Sequence, residues 1–151
     1  MLYACDATWW NEYAGVPHFE GLKYTQDDCA LVYPTVTYIR SVNKPGLSFN
    51  RSIIHQGANG GYQAINLAVH FGVNRIILLG YDMQEGPDGQ KHHHGDHPKG
   101  MTNPDKGNYG RWIDAFGTME PDLNRAGVEV INCTLDSALT CFPMAKLEEV
   151  L

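Results

Sequence analysis

Residues 59–82, NGGYQAINLAVHFGVNRIILLGYD, decide how the chain folds. They read as a glycine-rich turn, an amphipathic helix, a short bend and a buried strand. Ile65, Ala68, Val69 and Gly72 recur at i, i+3, i+4 and i+7, one face of a helix. Leu67 and Phe71 widen that face, so the helix is expected to be covered on more than one side. Gly72 suits a helix stop, and Arg75-Ile76-Ile77-Leu78-Leu79 is then a near-continuous apolar run. A run of that kind after a helix predicts a parallel strand buried on both faces. Gly80 and Asp82 follow its carboxyl end, where open α/β sheets bind their ligands.

Working outward, 151 residues fit about one domain with room for a real core. A hydrophobic share of 43% with 19% charged residues is that of an ordinary soluble globular chain. Eleven Lys and Arg against seventeen Asp and Glu give a net charge of −6, with no basic run, which argues against duplex nucleic acid. The longest apolar run, 76–79, is far short of a membrane span. Met1 leads into Leu2 without a positively charged segment, so no signal peptide is expected. Cys5, Cys29, Cys133 and Cys141 show no CxxC spacing and read as buried free thiols of a cytoplasmic protein.

Upstream of the central stretch, residues 2–5 predict a short strand ending at Asp6, which either caps a helix from Ala7 or meets a ligand. Trp9 and Trp10 are expected to pack. Residues 22–24 and 35–42 (TVTYIRSV) predict further strands. Residues 43–59 form a loop, long enough to be functional, that is expected to bring Arg51, His55, Gln56 and Asn59 to the glycine turn. Downstream, 83–109 is the longest irregular segment. Trp112, Phe116, Met119 and Leu123 predict a helix over 111–126, stopped by Gly127; a last strand at 128–132, a turn at 137–139 and a helix at 147–151 complete the chain. The alternation predicts an α/β fold, a three-layer sandwich on a mainly parallel sheet.

Three features carry candidate chemistry. Asn59-Gly60-Gly61 opens the helix, where glycine admits close backbone approach and exposed N–H groups attract anions. The spacing matches neither GxGxxG nor the Walker pattern, and close helix–strand packing explains it equally well. His92-His93-His94-Gly95-Asp96-His97 could supply a general base or hold a divalent metal, or be merely solvated. Asp82 suits a ribose hydroxyl, a metal or a turn cap.

Segment GANGGYQAINLAVHFGVNRIILLGYDM resembles the pattern (N)SGxxAxxxAxxLGxxxIxLLGxD of a Rossmann-like group. That group includes bacterial sialyltransferases of the Campylobacter type, archaeal pterin pyrophosphokinase-like proteins and small phage and prophage proteins. The likeness to the phage proteins runs from LYACDATWW through HHHGDHP to NCTLDSALTCFP; that to the sialyltransferases covers about residues 59–142. The resemblance implies a Rossmann-like fold and a bound nucleotide or sugar-nucleotide donor at Gly60-Gly61, which lack the group's serine. It implies a base among His92, His93, His94 and His97, and Ser137 as a nucleotide contact. Relatives begin with an earlier strand and glycine-rich loop, so the resemblance also implies an N-terminally shortened domain whose nucleotide grip is restored by homo-oligomerisation.

Three functions fit these readings. One is a nucleotide-dependent transferase, glycosyl or pyrophosphoryl, with a loop histidine as base and the anionic leaving group held at 59–61 and by Arg51. Another is a small-molecule binder using the same pocket without turnover. The last is a metal-dependent hydrolase built on residues 92–97 with Asp82 or Asp96.

Overall fold

The computed structural model describes residues 1–92, 95, 97, 101 and 103–151. They form a mixed α/β structure of short parallel strands and helices. Strand β1 (Leu2–Tyr3) leads to α1 (Ala7–Glu12), and β2 (Lys23–Thr25) is followed by a 3₁₀ turn at Asp28–Val32. Then come β3 (Val36–Tyr38), β4 (Arg40–Val42), β5 (Ile53–His55), α2 (Gly60–His70) and β6 (Arg75–Leu78). Helices α3 (Lys106–Gly117) and α4 (Glu120–Ala126), strand β7 (Glu129–Asn132) and α5 (Leu147–Val150) close the order.

All pairings among the described residues are parallel: β1-β2-β3, β4-β5 and β6-β7, sheets of two or three strands. The expected single strand over 35–42 is divided at Ile39. Its first half pairs with β2, its second half with β5, and the Ile39 N–H still reaches Thr25 O at 2.8 Å. Strand β5 lies inside the stretch expected to be a loop. Its three apolar-to-aromatic residues, flanked by Asn, Arg and Ser, are too few to show a period.

Helix α2 starts where Asn59 Oδ1 accepts from Tyr62 N at 3.1 Å. Tyr62 and Ile65 join the main core with Leu78, Phe116, Met119, Leu123, Val130 and Phe142, while Leu67 packs with Ile39 and Ile54 in a second cluster. The helix is thus covered on two sides, but Phe71 stays 49% exposed. Strand β6 differs from the expected fully buried strand. Arg75 is exposed, Ile76 and Ile77 are partly covered and Leu79 is 57% exposed, because β7 is the paired neighbour of β6 among the described residues.

The expected helix over 111–126 begins earlier and is broken. Asp105 and Asn108 form a capping box, which starts α3 before the helix-weak Gly107 and Gly110. Pro121 lacks an N–H and its ring clashes with a continuing turn, so the chain restarts as α4 after Thr118 and Met119. No helix among the described residues is long and apolar enough to cross a membrane. The four cysteines are free, and of them only Cys133 is buried; Cys29 is exposed.

Candidate functional site

Beyond the carboxyl ends of β6 and β7 the chain leaves a cleft. One cavity of about 580 Å³ is lined by Asn59, Asp82, Lys91, His92, Tyr109, Trp112 and Thr134, among others. A second of about 520 Å³ shares Asp82, Lys91 and His92 and adds Glu85 and Asp136. A third of about 370 Å³ lies by β1 and is lined by Cys5, Asp6, Asp27, Gly60 and His97. The first two residues of the glycine turn therefore face different cavities, Asn59 one and Gly60 the other. The His92 and His97 rings, 4.1 Å apart between centroids, bring the two cavities' histidines together.

The local sequence explains this layout. Asp82 follows β6 with an exposed side chain, and its backbone O accepts from Ala138 N at 2.8 Å. Tyr81 N donates to Thr134 Oγ at 2.9 Å, which ties the end of β6 to the end of β7. Three non-glycine residues in the left-handed region edge the cleft: Ala58 (φ 52°) beside Asn59, Met83 (φ 53°) beside Asp82, and Asp136 (φ 54°) beside Ser137. Each such residue costs on the order of 1 kcal/mol, and such strain collects at functional sites.

Several expected site residues have other duties. Arg51 precedes β5 and is exposed, whereas Asn59 follows that strand. His55 is held by its Nδ1, 3.0 Å from Pro45 O. Ser137 Oγ accepts from Asn132 Nδ2 and Leu139 N, both at 3.0 Å, and donates to Tyr81 O at 2.5 Å. That hydroxyl is used by the turn itself and has no proton left for a nucleotide. Asp6 stands at the start of α1 without capping it by its side chain; Asp27 Oδ2 takes the Ala7 N–H at 2.9 Å instead. Its exposed carboxylate is left to the β1 cavity, where Oδ2 accepts from Cys5 Sγ at 3.1 Å. His93, His94 and Asp96 lie outside the described residues.

The glycines divide as well. A Cβ on Gly61 would meet the Tyr81 ring at 2.7 Å, and Tyr81 Oη donates to Gly61 O at 3.2 Å, so Gly61 is a packing glycine. A Cβ on Gly60 would find only Cys5 Sγ, at an ordinary 3.5 Å.

Electrostatically the cleft is acidic, with Asp82, Glu85 and Asp136 against Lys91. Burial raises the Tyr109 phenol, with the Glu85 and Asp82 carboxylates adding to it. Burial, then the hydrogen bond to Asp6, pushes the Cys5 thiol up to about 12, which makes it a neutral donor rather than a nucleophile. Among the described residues the one three-membered group spaced for a cation is Asp27, Asp28 and Cys29. Its Asp27 oxygens already accept from Ala7 N and Cys29 N, so the group is explained by turn capping. Tyr109, Trp112 and Thr134 were missed in the sequence because a search for titratable groups passes over aromatic and hydroxyl side chains. The signal available was their position, Tyr109 and Trp112 in α3 and Thr134 just after β7. No protein-family model, no curated protein and no solved structure matches the chain.

Proposed function

We propose that the chain is a nucleotide-dependent transferase of glycosyltransferase type on a Rossmann-like layered fold, with His92 as general base. One observation carries the reading: Asn59 at the start of α2, Asp82 after β6 and His92 from the long segment line a single cavity. A base must lie within reach of the proton it takes, and an imidazole titrates near neutral pH. In this scheme a neutral His92 accepts the proton of an acceptor hydroxyl as its oxygen bonds to the transferred group. The donor bond breaks with its electron pair leaving on the nucleotide phosphate. The positive end of the α2 dipole, which opens on this cavity at Asn59, favours the developing negative charge. The parallel pairing throughout, and the passage of one chain segment between two sheets at Ile39, support the layered fold.

The test is a thermal-shift panel of cytidine, uridine and adenine nucleotides and their sugar derivatives, followed by turnover assays with any stabilising donor. A ligand that binds only the native state raises the melting temperature by mass action. His92→Gln is expected to lower kcat by about 10²–10⁴-fold with nucleotide affinity kept. Stabilisation by a nucleotide with no turnover in either form identifies a binder instead. Stabilisation confined to zinc or manganese favours the hydrolase.

A further inference from the structure

Resting on the transferase reading, we infer that the cavity of about 580 Å³ seats an uncharged, hydroxyl-rich sugar ring, with Tyr109 and Trp112 selecting it. Tyr109 is nine-tenths buried, lines this cavity and the neighbouring one beside Glu85, and its hydroxyl has no hydrogen-bond partner among the described residues. Buried hydroxyls in native proteins are almost always bonded, and an exception points to a group supplied from elsewhere. A ligand oxygen in the cavity is such a group. Thr134 offers a second donor: its Oγ accepts from Tyr81 N, and its own proton has no acceptor among the described residues.

The charges choose the ligand class. Asp82 in this cavity and Glu85 beside it accept hydrogen bonds from hydroxyls and repel phosphate, and among the described residues Lys91 is the one lysine lining this cavity. Trp112, packed edge-on to Tyr109 at 5.7 Å, supplies a flat apolar wall. Carboxylates around an aromatic wall match a ring with hydroxyls on its edge and C–H bonds on its face. Any phosphate of the donor then belongs toward the α2 start and not against Asp82.

The test compares cytidine with 2′,3′-dideoxycytidine, and methyl glucoside with inorganic phosphate, on the wild-type protein and on Tyr109→Phe, by calorimetry and melting. In the free protein Tyr109→Phe removes a hydroxyl with no partner among the described residues, so it is expected to melt at or above wild type. Affinity for cytidine or methyl glucoside is expected to fall about tenfold, the worth of one hydrogen bond. Dideoxycytidine is expected to bind wild type at least that much more weakly. Equal binding of cytidine and dideoxycytidine, or phosphate displacing methyl glucoside one for one, overturns the sugar-ring inference and leaves the transferase reading standing if nucleotides bind. Tyr109-dependent binding of methyl glucoside with no nucleotide binding supports the inference and overturns the transferase reading. No binding of any probe overturns both. If Tyr109→Phe lowers the melting temperature, the dideoxy comparison on wild type decides alone.

Discussion

Segments 43–59 and 83–105 look alike in the sequence: both are long, irregular and interrupted by Gly, Asn and Pro. In the fold they do opposite things. The first is pinned by the chain itself. Gly46 N donates to Thr118 Oγ, Leu47 N to Asp122 Oδ2, and Ser48 N and His55 N both to Asn66 Oδ1, all within 2.8–3.0 Å. Tyr62 Oη closes on Gly46 O at 2.6 Å. In the second, Gln84, Glu85, Gln90, Lys91 and His92 line cavities, and just beyond it in α3 the Tyr109 hydroxyl has no partner among the described residues. Composition alone does not separate a structural loop from a binding loop. What separates them is whether buried donors and acceptors are already used, because the chain cannot leave such groups empty without cost.

The comparison is most directly broken at Asn66. Its side chain is fully buried, accepts two backbone N–H groups and donates to Ser48 O at 3.0 Å. Asn66→Ala is expected to cost about 3 kcal/mol in urea denaturation, since each orphaned buried group costs roughly 1–3 kcal/mol. A loss below about 1 kcal/mol would mean the first segment is not held this way. A smaller effect sharpens the boundary at α2. Gly61→Val forces a side chain into the Tyr81 ring and should cost about 2 kcal/mol through overpacking. Gly60→Ala, facing the β1 cavity, should stay within about 0.5 kcal/mol of wild type. Equal destabilisation by the two would erase the distinction between packing and cavity glycine.

The smallest expected effect is on pH. Burial pushes the Tyr81 phenol from 10.0 up to about 12. The folded value exceeds the unfolded one, so this contribution is complete below pH 10.0 and is lost as pH rises through about 12. Cys5, raised from 9.0 to about 12 by burial and Asp6, adds a loss that starts earlier. Urea midpoints should fall steadily above about pH 9, and Tyr81→Phe should flatten the upper part of that fall. A flat wild-type profile would contradict it.

The helix of the central stretch was readable because eleven residues are enough to show a period, and the strand because Ile76 to Leu79 is an unbroken apolar run. Strand β5 was not, because three residues carry no period. The start of α3 was hidden by Gly107 and Gly110 and is set by the Asp105–Asn108 box, whereas the break before α4 was written plainly in Pro121. Of the candidate site, Asn59, Asp82 and His92 could be picked out as residue types that bind. That they share one cavity depends on pairings made across more than fifty residues. Ser137 was misread for the converse reason. A polar side chain near a turn looks available until its own bonds are known.

Strand β7 aligns with β6 in register, Arg75 against Glu129 and Leu78 against Asn132, across everything that lies between them. The closure of that span is an entropy cost that grows only logarithmically, about 0.6 kcal/mol for each doubling of a flexible loop. Both ends of the cleft segment are tied independently of its middle, by the Ala138 bond to Asp82 O and by the Asp105 box. Lengthening the chain between those ties therefore adds little closure cost. The length of the segment can thus change while the cores under α2 stay as they are.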